Sequence, residues 1–339
     1  MRDKAAYDTL IPMKISSWQT DLQSSIHKYQ DLLLESGLKN DSKTTPDASL
    51  STFPTRVPQA YLSRIDKNNP EDPLLLQVLP TIDEDKKTPG FKTDAVGEIK
   101  RHLTAGLIKK YHGRALMITT AACAIHCRYC FRRHYPYEKN QASQENWSNA
   151  ITALQADPGI FEIILSGGDP LSLSDEKLES LILKLGNIPH LKFLRIHTRF
   201  PVVVPSRVTK HLLETLKHTR LKTSVVLHIN HPNEIDADVR LALNAFHHAG
   251  LQLLNQSVLL KGVNDDAEVL TKLSESIYSN HVLPYYLHLL DPIEGAAHFE
   301  VDESVAHKIM EQLRTRLPGY LVPRLVKEVP DAPYKIPLG

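Results

Sequence analysis

Cys123-Ala-Ile-His126-Cys127-Arg-Tyr129-Cys130 contains all 3 cysteines of the 339-residue chain. An odd count packed into so short a stretch argues against a disulfide framework. It points to a reducing compartment, with thiols available for a metal or cluster. The spacing is C-x3-C-x2-C. A cubane [4Fe–4S] cluster presents four irons, each normally held by a thiolate. Three thiolates therefore leave one iron open to a ligand carrying both an amine and a carboxylate, and the methionine end of S-adenosylmethionine (SAM) has both. The competing readings are a chance cluster of thiols and a structural zinc site completed by His126 or His134. Zinc usually recruits two separated ligand pairs, and the chain has no second pair.

The surrounding sequence has an α/β texture. Short runs rich in Val, Ile and Leu occur at Arg114–Thr119, Glu162–Leu165, Leu191–Ile196, Ser224–His228, Leu251–Leu260 and Leu283–Leu290. They begin roughly 30 residues apart, the length of a strand–helix repeat in a parallel sheet. Six repeats suit an open, partial (β/α)6 barrel and fall short of the eight of a closed one. Polar residues follow the strands at Ser166-Gly167-Gly168-Asp169, His197-Thr-Arg199, Asn230-His231 and Asn255-Gln256. Such folds build active sites at strand C-termini, so these clusters are expected to face one pocket with His228. Gly167 and Gly168 allow close backbone approach to a ligand, and Asp169 can accept from an ammonium. By itself a Gly-Gly-Asp is more often a turn.

Residues 1–100 read as a mainly helical accessory region. Ser17 is placed to cap a helix with apolar positions Trp18, Leu22, Ile26, Tyr29 and Leu33. A polar stretch, Lys39 to Ser51, reads as a linker. The barrel is expected over 105–300. The segment 301–339, with Pro323, Pro330, Pro333 and Pro337, reads as an irregular tail.

The 40 Lys and Arg against 39 Asp and Glu give a net charge of +1, with no basic stripe of the kind nucleic-acid binding requires. No apolar run is long enough to cross a bilayer. Met1-Arg-Asp-Lys leads into no apolar signal segment, so a cytoplasmic location is expected.

The three-cysteine loop after the first strand, with Tyr129 before the last thiol, resembles the radical SAM superfamily signature. Ser166-Gly-Gly-Asp169 is similar to its glycine-rich element near the SAM amino group. From about residue 70 the chain resembles the lysine 2,3-aminomutase family. The matching stretches are Asn69-Pro-Glu-Asp-Pro, Gly106-Leu-Ile-Lys-Lys-Tyr-His-Gly-Arg114, Cys130-Phe-Arg-Arg133, Pro201-Val-Val-Val-Pro205, Asn255-Gln-Ser-Val-Leu-Leu260, Gly295-Ala-Ala-His298-Phe and Asp331-Ala-Pro-Tyr-Lys335. Arg132-Arg-His-Tyr-Pro-Tyr-Glu is most similar to the branch that supplies β-lysine for elongation factor P.

The resemblance implies an isomerase. A reduced cluster, fed by an electron donor, cleaves SAM to a radical that removes hydrogen from C3 of L-lysine. The amino group then migrates from C2 to C3 on pyridoxal 5′-phosphate (PLP). The resemblance also implies that Lys335 forms the PLP Schiff base; without it Lys335 would read as a solvated tail lysine. Arg114, Gln256 and Lys110 match phosphate contacts, with Lys110 standing where the family has arginine. Arg132 matches the contact to the substrate carboxylate, and Asp291 and Asp331 match a carboxylate pair for the lysine side-chain ammonium. Tyr334 stands alone where the family has a glycine run, so the loop is shorter. Elongation factor P or its β-lysine ligase is the implied partner. The rival functions are a radical SAM maturation enzyme without PLP and a non-enzymatic iron–sulfur or zinc module.

Overall fold

Parallel strands covered on both faces need near-continuous apolar runs, and the Val/Ile/Leu segments form them. The computed structural model describes residues 18–38, 53–140 and 144–339. The strands are β1 (His102–Thr104), β2 (Leu107–Tyr111), β3 (Arg114–Thr120), β4 (Glu162–Gly167), β5 (Phe193–Thr198), β6 (Lys222–Leu227), β7 (Gln252–Val258), β8 (Val282–His288), β9 (Arg324–Lys327) and β10 (Ile336–Pro337). They lie in one sheet in sequence order. From β3 to β9 every pairing is parallel. Antiparallel strands flank this run, β1 and β2 on one side and β10 on the other.

The crossover helices begin where the sequence supplies an oxygen to a free backbone amide. Thr209, Asp236, Asp266 and Asp302 accept from amides of the first turns of Lys210–His218, Ala237–His248, Ala267–Ser279 and Glu303–Arg316. The helix Asp175–Gly186 buries Leu178, Leu181, Ile182 and Leu185 at spacings of three, one and three, the stripe that packs on a sheet. That apolar face joins the helix-facing residues of the strands, such as Ile163, Leu165, Leu194 and Ile196, in one continuous core.

Two expectations change. The tail expected to be irregular contains the helix Glu303–Arg316 and β9, which adds a seventh parallel strand beside β8. The single helix expected from Trp18 to Leu33 is two, Trp18–Gln23 and Tyr29–Glu35. Between them Ile26 exchanges backbone hydrogen bonds with Val57 at 2.8 and 3.0 Å. Its apolar side chain is buried by a strand-like bridge rather than by helix periodicity. Ser17 and the stretch 39–51 lie outside the described residues.

The ends of the sheet approach each other through side chains. Lys110 and Tyr111 of β2 reach Glu328, just past β9. Arg101, just before β1, pairs with Asp331, and Pro330 packs near Gly97. Among the described residues no helix is long and apolar enough to cross a membrane.

Candidate active site

The inward curve of the sheet encloses a cavity of about 400 Å³, lined by residues of the cysteine loop and by Lys335. The loop is seated by backbone contacts. Gly168 N–H donates to Thr120 O at 2.7 Å, and Asp169 N–H donates to Ala122 O at 2.8 Å. A Cβ on Gly168 would stand 2.4 Å from Ala122 O, and Gly167 has φ +114°. Both glycines are thus required by the close approach of two strand exits, whatever ligand lies beyond. Asp169 was expected to receive an ammonium, yet both its oxygens are engaged within the fold. They accept from Thr198 Oγ1 at 2.7 Å and from the amides of Leu171, Arg199 and Phe200 at 3.0, 2.7 and 3.2 Å.

Cys123, Cys127 and Cys130 all line the cavity. Burial, and then the neighbouring thiols, push the Cys123 thiol up; burial and Cys127 push Cys130 to about 11. Such thiols ionise when a metal displaces their protons. Arg199 Nη1 donates to Cys127 Sγ at 2.7 Å and to Tyr129 Oη at 2.8 Å, while its Nη2 donates to Gln77 and Glu234 at 2.7 and 2.9 Å. This buried cation suits a thiolate. Tyr129, expected as a cofactor contact, lines the cavity and also joins Arg199 to His228 and Asn230. The histidines offered for a zinc site are turned elsewhere: His126 Nδ1 meets Pro54 O at 3.0 Å and His134 Nε2 meets Glu294 O at 3.1 Å, and neither lines the cavity. Three thiols lining one cavity, with no fourth protein donor turned to them among the described residues, fit a cubane cluster with one open iron better than tetrahedral zinc.

The cavity wall also carries a constellation of charge. Glu328 Oε1 accepts from Lys110 Nζ and from Tyr111 Oη, the latter at 2.6 Å, and Oε2 accepts from Lys335 Nζ. Burial alone would raise the Glu328 carboxyl, but Lys335 and Lys110 outweigh it and hold it at about 2. Arg114 stacks on the Tyr111 ring at 5.6 Å and joins no ion pair among the described residues. Gln256 Nε2 lies 3.4 Å from His197 Nδ1, whose Nε2 is buried without a partner among the described residues. A primary amine and a guanidinium without an ion-pair partner among the described residues line one cavity, a set that fits an anionic aldehyde cofactor such as PLP.

Two expected substrate contacts are placed differently. Asp331 does not line the cavity; at φ +67° its side chain turns out to 84% exposure and pairs with Arg101. Arg132 lines the cavity, but its fork is closed on Glu98 at 2.7 and 2.8 Å, and Nη1 holds Ser166 and Gly167. Sequence reasoning missed Glu328, Glu98, Tyr111 and Glu234. Glu328 was within reach of one signal, its position immediately after a strand, had β9 been recognised.

Asp291 lies in the cavity wall. Burial drives its carboxyl up to about 7; Lys335 and Lys110 oppose this, while Glu328 and Glu98 add to it. An unfolded aspartate titrates near 3.9, so the folded state takes up a proton between about pH 4 and 7, and stability falls as pH rises through that window. In the cofactor-free protein, Asp291→Asn should raise the melting temperature by several degrees at pH 8 and hardly at all at pH 4. Equal effects at both pH values would show that Asp291 does not titrate in this window.

Residues 117–273 match the Radical SAM superfamily, the class that the parallel strands and three-thiol loop define. The match implies a [4Fe–4S] cluster and SAM. The chain is 44% identical to the L-lysine 2,3-aminomutase of Escherichia coli K12, over 95% of this chain and 94% of that one. It is 44% identical to that of Haemophilus influenzae, over 94% of each. With the Clostridium subterminale enzyme it shares 34%, over 95% of this chain and 78% of that one. A solved radical SAM methyltransferase from Sphaerobacter thermophilus is similar at 16% identity and TM-score 0.44, over 65% of this chain and 68% of that one. The chain belongs to the L-lysine 2,3-aminomutase family and is an isomerase.

Proposed function

We propose that this chain converts L-lysine to β-lysine with a [4Fe–4S] cluster, SAM and PLP, and that the product serves to modify elongation factor P. The observation that carries the reading is one cavity lined both by three thiols and by the Lys335–Glu328–Lys110 constellation. Cys123, Cys127 and Cys130 would hold the cluster, and Gly167 and Gly168 let backbone lie close beside SAM. Lys335 would hold PLP, with Arg114, Gln256 and Lys110 toward its phosphate. Bound, these groups supply a hydrogen-abstracting radical and an aldehyde that carries the migrating amine.

The protein's own part is to orient and to exclude water. Arg199 steadies the Cys127 sulfur, and Arg132, itself held by Glu98, donates to Ser166 and Gly167 and steadies them. Asp291 faces the substrate's distal ammonium, which would hold it ionised. The region 1–100 serves as a cover to the barrel of 105–300, and 301–339 delivers Lys335. A cytoplasmic location and a reducing electron donor belong to the same reading.

The test is anaerobic incubation of the reduced enzyme with SAM, PLP and L-lysine, followed by chromatography and mass spectrometry. Formation of β-lysine is expected, and its absence with full cluster and PLP content would refute the activity. Running free lysine beside elongation factor P already carrying lysine decides which one is the substrate.

A further inference from the structure

This inference rests on the cluster reading above and concerns how readily that cluster takes up its electron. Arg199 directly follows β5, and its amide donates to Asp169 Oδ2 at 2.7 Å. Its side chain is 6% exposed and lines the cavity. Nη1 donates to Cys127 Sγ at 2.7 Å, and Nη2 donates to Glu234 Oε2 at 2.9 Å. Glu234, in the turn after β6, is fully buried and fixed in its turn: Oε1 accepts from the amides of Asn230 and His231 at 2.9 and 3.1 Å. Two strand exits thus hold one buried ion pair, its cation against a cysteine sulfur and its anion on the guanidinium's other terminal nitrogen.

A cubane on three thiolates is anionic, and reduction adds one more negative charge. The donor gives up one electron, no bond forms or breaks, and no proton need move. The potential of such a cluster follows its net charge, the hydrogen bonds to its sulfurs and its exposure to solvent. Arg199 brings a positive charge and a hydrogen bond to Cys127 in a buried setting, where charge is little screened. A guanidinium stays protonated, so this charge is permanent. A further donor is available, since Arg199 Nε is buried without a partner among the described residues. Charge arriving on a sulfur strengthens the hydrogen bond made to it. We propose that Arg199, acting through the Cys127 sulfur, sets the reduction potential of the cluster by stabilising its reduced state, and that Glu234 moderates the effect.

The pair carries opposite signs, and so must its two members. Removing the cation withdraws stabilisation from the reduced cluster and lowers the potential. Removing Glu234 leaves the cation unopposed and raises it. A pair that only held the cysteine loop in place would loosen the cluster in both variants, with no reason for shifts of opposite direction.

The experiment loads parent, Arg199→Gln, Glu234→Gln and the double variant with iron and sulfide under anaerobic conditions. Midpoint potentials are measured without SAM, by electron paramagnetic resonance of samples poised with titanium(III) citrate and mediators. Iron and sulfide content is determined for each. At the parent's midpoint, Arg199→Gln is expected to lower the reduced-to-oxidised ratio about tenfold, ~59 mV for a one-electron couple. Glu234→Gln is expected to raise that ratio. If Arg199→Gln holds too little cluster, the double variant decides. It leaves no buried carboxylate without its cation, and its ratio should still fall below the parent's, because the lost cation stood at the sulfur. A fully loaded Arg199→Gln or double variant with the parent's potential overturns the proposal, as does a Glu234→Gln potential that is unchanged or lowered. Loss of the cluster from all three variants would make the pair a structural support and overturn the proposal as well. A parent that binds no four-iron cluster overturns the cluster reading itself, and this inference with it.

Discussion

Replacing Cys127 by alanine should abolish cluster binding, SAM cleavage and β-lysine formation together, leaving a folded, colourless protein. The three thiols are the only ones in the chain, so no neighbour can substitute. Two thiolates leave two irons of a cubane without protein ligands, and the cluster is lost outright. The fold should survive, because Arg199 gives Cys127 only one of its contacts. Its bonds to Tyr129, Gln77 and Glu234 remain. Iron and sulfide analysis with far-ultraviolet circular dichroism reads both halves of the expectation. Full cluster content and turnover in this variant would remove Cys127 from the ligand set.

The second large effect is expected at Lys335. Lys335→Ala should reduce β-lysine formation to background while the cluster is retained and SAM is still bound. Borohydride reduction of the parent should place the pyridoxyl group on Lys335, and the variant should carry none. The variant also leaves Glu328 Oε2 without its cation, so the Glu328 carboxyl, now held at about 2 by Lys335 and Lys110 together, should rise. Stability at neutral pH should then fall, in the direction expected when a buried pair loses one member. Lys327 offers the alternative attachment point, but it pairs on the outer surface with Glu303 at 3.3 Å. A label found there would mean that the shortened loop has moved the attachment site.

The strands from β3 to β8 were legible because strands covered on both faces leave unbroken apolar runs, as in Glu162-Ile-Ile-Leu-Ser-Gly167. The strand β9 was not: Arg324-Leu-Val-Lys327 has two apolar residues between charged ends, and both are buried only through β8 and the core. Periodicity misled between Trp18 and Leu33, because Ile26 keeps helical spacing while its backbone bridges to Val57. The cysteines and Lys335 could be read from motif and resemblance, and both lie where the cavity does. Glu328 could not be, since it is one acid among 39 Asp and Glu and is distinguished only by partners 7, 217 and 218 residues away. Asp331 was misplaced for the converse reason: a motif match carries no information about a left-handed backbone that points the side chain outward.

The meeting of the sheet's two ends has a further consequence. Lys110–Glu328 and Arg101–Asp331 stitch the chain's terminal segment to β2 and β1 with charge, where other neighbouring strands are joined by backbone hydrogen bonds. The inner stitch uses the groups that a ligand inside the cavity would claim. Occupancy and docking of the final residues are therefore linked, and the linkage is reciprocal: each changes the free energy of the other by the same amount. The outer stitch is solvent-exposed and screened by salt, and the inner one much less so. Rising ionic strength should fray this edge from Asp331 inward, loosening the arm that carries Lys335 before the parallel strands are touched.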